Sequence, residues 1–355
     1  MKLAPVSVVI PTYQRAQLCI EAVKSALSQT LPPAEVIVVD DGSTDDTAKL
    51  VSELGEPVRY LYQDNSERGV ARNTGIEASS NDFVAFLDSD DLWHRRHLEW
   101  SMRAFEEYPD AAYVFGRAIY VTADGKPLMP APTAPVPEGI VDPFVAVKAF
   151  ARRAIGPPHS SVVVRREILH KHKFKEDRSL ARAEDFELWL RIAALYPIVF
   201  TGKPSAFLRV EVGNTSREAE AAYRAMTAAL KEIERNPWVV SAAGDQLQYT
   251  RAYVALECAR LFARAGSRRL ALELTAEALR NGAGRACPQE ILRLAALVIA
   301  PPSLAEKART LLRTVRSKRV ERTLKELGFG LADTHPASGG QSGRQPVSEA
   351  THVAG

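Results

Sequence analysis

The feature that most constrains the fold of this chain is a regular alternation, in its first quarter, between short apolar runs and amphipathic stretches. The apolar runs lie at 6–10, 36–39, 58–62 and 83–87. Between them, at 14–30 and 69–79, apolar residues recur at the spacing of one face of a helix. This alternation predicts an α/β fold in which a mostly parallel sheet is flanked by helices.

The rest of the sequence divides by composition. A proline-dense stretch at 127–143 precedes a second patterned block, in which 161–164 is strand-like and 184–196 is amphipathic. Later residues are first rich in Ala, Leu and Arg at helical spacing, and finally rich in Gly, Ser, Pro and Thr. We therefore predict an α/β domain at 1–216, a helical domain at 217–330 and a disordered tail at 331–355.

Composition limits the classes of function. Of 355 residues, 46% are hydrophobic and 25% are charged, which is enough to bury a core. A net charge of +3 is too small for the whole protein to act as a nucleic-acid binder. Cys19, Cys258 and Cys287 lie far apart, so the sequence indicates neither a disulfide framework nor a structural zinc site. We expect a cytoplasmic protein without a secretory signal or membrane span.

One stretch near the C-terminus, at 306–327, is strongly basic and carries interleaved apolar residues. It could contact anionic lipid or a polyprenyl-phosphate acceptor, which would place the protein peripherally at the inner face of the membrane. Alternatively, its apolar stripe packs on the helical domain while the charges are solvated. The second interpretation is favoured.

Carboxylates cluster directly after the fourth apolar run. Asp88 and Asp90 are two residues apart, so in extended geometry their side chains point the same way, and Asp91 lies beside them. Clustered carboxylates repel one another unless a cation neutralises them, and hard oxygen ligands suit Mg²⁺ or Mn²⁺. The alternative is a capped turn, since Asp and Ser are common after strands.

Asp40 and Asp41 follow the second apolar run in the same way. In an open parallel sheet, ligands bind outside the carboxyl ends of the strands, so these carboxylates could accept hydrogen bonds from a base or ribose. They could equally be turn residues, and Ser43 is well placed to cap the next helix. Arg72 and Asn73 lie within a helix, where Arg72 could bind a phosphate or base or form a surface ion pair.

Glu184 and Asp185 open the amphipathic helix of the second block. Carboxylates in a first helical turn interact favourably with the helix dipole, which is a sufficient structural reason for them. A carboxylate that faces a ligand cleft could instead act as a general base.

Together these segments resemble a family 2 glycosyltransferase with the GT-A fold. The matching stretches are VSVVIPTY at 6–13, VVDDGSTD at 38–45, GVARNTG at 69–75, FLDSDD at 86–91 and EDFELWLR at 184–191. Each stretch taken alone has low specificity, but all five occur in the order and spacing of the family. The resemblance covers residues 4 to 216.

The resemblance implies an inverting transfer of a sugar from a nucleoside-diphosphate-sugar donor to a hydroxyl of a glycan, lipid-linked or protein acceptor. It also implies a role in the synthesis of surface polysaccharide or another glycoconjugate. It implies a divalent metal, Mn²⁺ or Mg²⁺. The implied donor-binding residues are Pro11, Tyr13, Asp41, Arg72, Asp88 and Arg209. The implied metal ligands are Asp88, Asp90 and Asp91, the catalytic base is Asp185, and Asp40, Asn73 and Glu184 support them.

Two alternative functions share parts of this sequence pattern. A nucleotidyltransferase should carry a Gly-rich, basic phosphate loop early in the chain, and the segment at 11–15 is not one. Glu211 stands about where many relatives carry a His, and a carboxylate there would repel a diphosphate. This keeps open a catalytically weak or inactive nucleotide-binding scaffold that uses its helical domain for partners.

Overall fold

The computed structural model describes residues 2–153, 155–210 and 216–286, together with residues 291 and 294. The strands are β1 (Ala4–Thr12), β2 (Pro33–Asp40), β3 (Val58–Tyr62), β4 (Phe83–Phe86), β5 (Leu92–Trp93), β6 (Tyr113–Val121), β7 (Pro127–Pro130), β8 (Gly139–Val141), β9 (Val163–Arg165) and β10 (Ile198–Arg209). The helices are α1 (Ala16–Leu27), α2 (Thr47–Ser52), α3 (Arg68–Ala78), α4 (His97–Glu107), α5 (Pro143–Arg153), α6 (Arg166–Lys171), α7 (Glu184–Ala193), α8 (Ser216–Arg235), α9 (Pro237–Ala243), α10 (Gln246–Arg264), α11 (Arg268–Arg280) and α12 (Ala283–Ala286).

Within the described residues the strands form one ten-stranded sheet in the order β3-β2-β1-β4-β9-β6-β10-β5, with β7 beside β6 and β8 beside β10. The first four strands are parallel, as the alternation predicts, with Val8 opposite both Val36 and Ala85. Beyond β4 the sheet is mixed, because β9 runs antiparallel to both β4 and β6. The α/β fold is confirmed, and among the described strands beyond β4 only the pairing of β6 with β10 is parallel.

Both faces of this sheet are covered, which explains why the strands are apolar without interruption. Alternate residues of β1 point to opposite faces: Val8 and Ile10 pack with α1, α2 and α4, whereas Val9 packs against α3. The contact with α3 is close, because a Cβ added at Gly75 would lie 2.3 Å from Cγ1 of Val9. Helix α3 therefore lies directly on the strand that leads to the cavity at the carboxyl edge of the sheet.

The helical region continues the hydrophobic core on the α3 side of the sheet. Phe150 of α5, Leu188 of α7 and Phe262 of α10 belong to one cluster of buried residues. The Thr250 hydroxyl donates a hydrogen bond of 2.6 Å to the backbone carbonyl of Ala151, which ties α10 to α5. Helix α8 begins at the predicted domain boundary, but its packing is continuous with the α/β part. The division at residue 216 stays a prediction.

Several predicted features lie outside the described residues: Glu211, Cys287, the basic stretch at 306–327 and the tail at 331–355. Of the helices within the described ranges, none is both long enough and apolar enough to cross a bilayer. The cytoplasmic location and the peripheral membrane contact stay predictions.

Candidate active site

The carboxyl ends of β1, β2 and β4 meet at one edge of the sheet, and a cavity of about 360 Å³ opens there. It has a wall from β1 and the following loop, a wall from the start of α3, and a third wall from the turn before α7. The residues that line it are Pro11, Thr12, Tyr13, Arg15, Asp41, Asn65, Glu67, Arg68, Ala71, Asp88, Ser89, Asp90, Ala181 and Arg182. The parallel half of the sheet thus brings together five of the predicted site residues: Pro11, Tyr13, Asp41, Asp88 and Asp90.

Asp41 organises the part of the cavity nearest β1 and β2. Its Oδ1 accepts hydrogen bonds from the Gln63 side chain at 2.7 Å and the Ser66 amide at 2.8 Å, and its Oδ2 accepts from the Glu67 amide at 3.0 Å. These bonds fix the loop between β3 and α3 against the end of β2. Tyr13 is 49% exposed, so its ring is open to a ligand.

Asp40 supports this arrangement from below and does not line the cavity. It is fully buried, where its Oδ1 accepts from the Ser43 amide at 2.8 Å and its Oδ2 accepts from the Tyr60 hydroxyl at 2.7 Å. The predicted supporting role remains compatible with this position. Ser43 does not cap a helix, since α2 begins only at Thr47.

Asp88 faces the cavity at the end of β4 and is held from behind. Its Oδ1 accepts a hydrogen bond of 2.8 Å from Nη2 of Arg72. Burial alone would raise the pKa of Asp88, but the Arg72 guanidinium outweighs it and holds that pKa well below its usual range, with smaller contributions from His159 and Arg68. Asp88 is therefore ionised throughout the neutral range.

Asp90 also faces the cavity, and its Oδ2 forms an ion pair with Nη1 of Arg15. Both side chains are partly exposed, at 24% for Asp90 and 29% for Arg15. Nothing in the local sequence pattern distinguishes Arg15 from a solvated residue after a strand.

Asp91 differs from the expectation that it is a metal ligand. It is buried behind the cavity, where its Oδ2 accepts from the Ser160 hydroxyl at 2.6 Å and its Oδ1 from the Arg209 amide at 3.1 Å. Burial, with repulsion from Asp88 and Asp90, raises its pKa well above the usual value. Asp91 instead connects the turn after β4 to the end of β10, because the turn directs its side chain inward.

Arg72 was expected to contact the donor, but its side chain is buried beneath the cavity. It is only 2% exposed and does not line the cavity. Its Nη1 donates to Glu184 Oε1 at 2.5 Å and its Nη2 to Asp88, so one guanidinium joins α3, α7 and the end of β4. Glu184 in turn accepts a hydrogen bond of 2.6 Å from the Arg182 amide through Oε2. The helix turns Arg72 inward, and Arg68, one turn earlier, lines the cavity in its place.

Asp185 is the second residue of α7 and follows the cavity-lining Arg182 by three positions in the chain, but it does not itself line the cavity. Its Oδ1 accepts from the Phe186 amide at 2.8 Å. Burial raises the pKa of Asp185 to about 6, and Glu184 adds to the effect, while Arg72 opposes it. A carboxylate with this pKa can take up and release a proton near neutral pH, which a general base requires.

The two remaining predicted residues lie outside the cavity lining. Asn73 is buried, and its amide group bonds to both the amide and the carbonyl of Phe174, which fixes the loop before α7 to α3. Arg209 points its guanidinium toward Glu21 of α1, with which it forms an ion pair, and not into the cavity.

The carboxylates of the cavity are candidate ligands of a divalent cation. In the part of the chain that the structure describes, no group of three or more His, Cys, Asp and Glu side chains is arranged to hold a metal. Asp88 and Asp90 are nevertheless two carboxylates on one cavity wall. Mg²⁺ is commonly held by one or two carboxylates together with substrate phosphates and water, and carboxylate sites also suit Mn²⁺. The residues therefore fit a cation that binds together with a phosphate-bearing ligand.

Backbone strain is concentrated around the cavity. Among the described residues, positive φ angles outside glycine occur at Gln14 (53°), Glu67 (76°) and Arg182 (88°). Glu67 and Arg182 line the cavity, and Gln14 lies between Tyr13 and Arg15, which do. Such conformations cost free energy and cluster at functional sites. Sequence patterns gave no signal for them, because none of the three is a glycine.

Comparison with known proteins finds similarity to glycosyltransferases. Residues 7–171 match the model of the family described as Glycosyl transferase family 2. An uncharacterized glycosyltransferase of Rickettsia felis is 30% identical over 59% of this chain, which spans 34% of that relative's length. The amylovoran biosynthesis glycosyltransferase AmsB of Erwinia amylovora is 28% identical over 58% of this chain and 70% of its own. The chain thus spans about a third of the length of the first of these relatives.

A solved structure gives the fold. The mannosyltransferase PcManGT from Pyrobaculum calidifontis, determined in complex with GDP-Man and Mn²⁺, superposes with a TM-score of 0.53 at 18% identity. The match covers 90% of this chain and 87% of that one. Together with the sheet order, this likeness confirms the predicted GT-A fold with a helical C-terminal region.

Proposed function

We propose that the protein transfers a sugar from a nucleoside-diphosphate-sugar donor with inversion at the anomeric carbon, and the match of residues 7–171 to the model of glycosyl transferase family 2 supports this. One observation carries the proposal. A single cavity at the carboxyl edge of the sheet is lined by Asp41, Asp88 and Asp90, and Asp185, whose pKa is raised, lies near enough to Asp88 for the two charges to repel.

The donor is proposed to lie along the cavity from β1 toward α7. Pro11, Tyr13 and Asp41 would enclose the nucleoside, since Tyr13 offers an exposed ring and Asp41 a hydrogen-bond acceptor. The diphosphate would lie beside Asp88 and Asp90. Arg68 and Arg182, which line the same cavity, would supply cations to the phosphate oxygens.

Asp185 is proposed as the catalytic base. It would remove the proton of an acceptor hydroxyl while that oxygen forms a bond to the anomeric carbon, and the bond from that carbon to the diphosphate breaks on the opposite face. A single displacement of this kind inverts the configuration. The raised pKa of Asp185 supports the role, because the carboxylate is basic enough to accept the proton and still ionised above pH of about 6.

Asp88 and Asp90 are proposed to hold a divalent cation, Mn²⁺ or Mg²⁺. Asp88 is suited to this because Arg72 keeps it ionised and fixes its Oδ1. When bound, the cation would act as a Lewis acid that offsets the negative charge developing on the departing nucleoside diphosphate.

The biological setting is proposed from a relative. AmsB is described as acting in the biosynthesis of amylovoran. We propose by analogy that the acceptor is a growing glycan or another glycoconjugate, lipid-linked or protein-bound, in surface polysaccharide synthesis.

Thermal-shift binding of UDP, GDP and TDP, with and without Mn²⁺, tests the donor proposal. We expect one nucleotide to raise the melting temperature in a Mn²⁺-dependent way, and Asp90→Ala to remove that dependence. Asp91→Ala is unsuitable for this purpose, since its buried hydrogen bonds make it a stability variant. The absence of a shift with every nucleotide in both conditions would contradict the proposal. Binding without donor hydrolysis or transfer would favour the non-catalytic scaffold.

A further inference from the structure

The turn before α7 carries a strained residue into the cavity wall. Leu180 and Ala183 are buried against α8, whereas Arg182, which lies between them, is exposed and lines the cavity. The φ of Arg182 is 88°, a left-handed conformation that is unfavourable for a residue other than glycine. Such a conformation persists only where surrounding contacts hold it. The turn therefore requires a contact that fixes the backbone of Arg182.

Glu184 provides that contact. Its Oε2 accepts a hydrogen bond of 2.6 Å from the backbone amide of Arg182. Its Oε1 accepts one of 2.5 Å from Nη1 of Arg72, whose Nη2 donates to Asp88. The Glu184 side chain is only 3% exposed, and the residue does not line the cavity. One buried carboxylate therefore connects Arg182 with the carboxylate at the end of β4.

The direction of the Arg182 side chain matters for any phosphate in the cavity. A guanidinium binds phosphate oxygens best through two parallel hydrogen bonds, so its affinity depends on how the backbone presents it. Arg68 lines the cavity from the start of α3, and Arg182 lines it from the turn before α7. Two guanidiniums on two walls suit an anion with several oxygens, provided that both are held in direction.

We propose that Glu184 is a positioning residue for the diphosphate of the donor. By holding the strained backbone of Arg182, it directs that guanidinium at the phosphate oxygens. The proposal rests on the function proposed above, which assigns Arg182 to those oxygens. Without the hold of Glu184, the charge of Arg182 remains but its direction is no longer fixed. Binding of the diphosphate then weakens, while binding of the nucleoside, on the β1 side of the cavity, is unchanged.

Isothermal titration of UDP, GDP and TDP, and of the three corresponding nucleosides, into the full chain with Mn²⁺ measures this effect. The affinity of each diphosphate divided by that of its nucleoside isolates the contribution of the phosphates. Glu184→Gln should lower this ratio by about tenfold or more for the nucleotide that the wild type binds, because charged hydrogen bonds to phosphate are lost. The reason is that a Gln side chain has one acceptor oxygen, whereas Arg72 and Arg182 present two donors.

Glu187→Gln is the matched control. Glu187 lies on the same helix, is equally buried at 3% side-chain exposure, and pairs with Arg191 at 2.8 Å. Neither residue of this pair lines the cavity. Glu187→Gln therefore neutralises a buried carboxylate, as Glu184→Gln does, but should leave the affinity ratio at the wild-type value.

Arg182→Gly tests whether Glu184 acts through Arg182, and it leaves the buried carboxylate in place. This variant should lower the ratio at least as much as Glu184→Gln. In the double variant Glu184→Gln should add little, because both changes remove one interaction. The inference is overturned, while the donor proposal stands, if either single variant keeps the wild-type ratio, if Glu187→Gln lowers it equally, or if the two losses add in full. A wild type that binds none of the three diphosphates overturns both proposals.

Discussion

At the scale of single residues, the arginine of the GVARNTG stretch is a buried connector. Arg72 bonds to Asp88 on one side and Glu184 on the other, 112 residues away in sequence. Removing one partner from a buried ion pair leaves an uncompensated charge, which costs much more than breaking an exposed pair. Arg72 therefore acts on the site by holding Asp88 and the start of α7 in place.

Arg72→Met is expected to lower the free energy of unfolding by about 3–5 kcal/mol, because Asp88 and Glu184 lose their shared partner. Arg72→Lys should recover only part of this, since an ammonium cannot form the same two-sided contact. Urea unfolding measures both variants. The control is Arg103→Met, which breaks an exposed pair with Glu99 and should cost far less. Equal losses for Arg72→Met and Arg103→Met would contradict the connector role.

Asp185 gives a prediction on pH dependence. Its pKa is raised to about 6, so it is protonated, and inactive as a base, below that pH. Turnover under saturating donor should therefore fall as pH decreases through about 6, by roughly tenfold per pH unit. Asp185→Asn should abolish transfer while leaving nucleotide binding intact. A wild-type rate that stays flat from about pH 5 to about pH 8 would argue against Asp185 as the base.

At the scale of elements, the contact between α3 and β1 sets where the cavity lies. Gly75 allows this helix to rest on Val9, and the same helix carries Arg68 into the cavity and Arg72 beneath it. The local sequence pattern that placed Ser43 as a helix cap was wrong, because α2 begins only at Thr47. Ser43 accepts a hydrogen bond from the Gln14 amide and stabilises the β1 loop, because tertiary contact competes with helix capping for its hydroxyl.

Gly75→Ala is expected to destabilise the fold by about 1–3 kcal/mol, because the new methyl group would overlap Val9 at 2.3 Å and displace α3. Gly156→Ala is the matched control, since the nearest atom to its added Cβ is 3.7 Å away. Thermal denaturation of both variants measures the difference. Combining Gly75→Ala with Val9→Ala should cost less than the sum of the single changes. Strict additivity would show that the contact with Val9 is not the cause.

At the scale of the whole molecule, the helical region supports the cavity from outside. Leu180 and Ala183, which flank the wall residues Ala181 and Arg182, pack against Ala225 and Ala229 of α8. Helix α10 covers α5 on the same side of the sheet. The wall before α7 therefore depends on residues that the sequence assigned to a separate part of the chain.

A chain truncated after residue 216 is expected to be poorly soluble and to lack fixed tertiary packing. It would expose the apolar surfaces of α5 and of the turn before α7 that α8 and α10 cover. Near-UV circular dichroism and size-exclusion chromatography compare it with a chain truncated after residue 330. Cooperative unfolding of the shorter chain, with nucleotide binding intact, would instead establish 1–216 as an independent domain.

The sequence by itself determined that the first four strands form a parallel sheet and where the site lies. Continuous apolar runs require a sheet covered on both faces, and the carboxyl ends of parallel strands meet at one edge, which brings Asp41, Asp88 and Asp90 together. Only the tertiary structure decided which neighbouring charges face the cavity. Arg68 and Asp90 line the cavity, whereas Arg72 and Asp91 are buried. The partners that hold Arg72 and Asp91 inside come from distant parts of the chain. Sequence periodicity specifies a face of a strand or helix, whereas the partner of a charge depends on long-range packing.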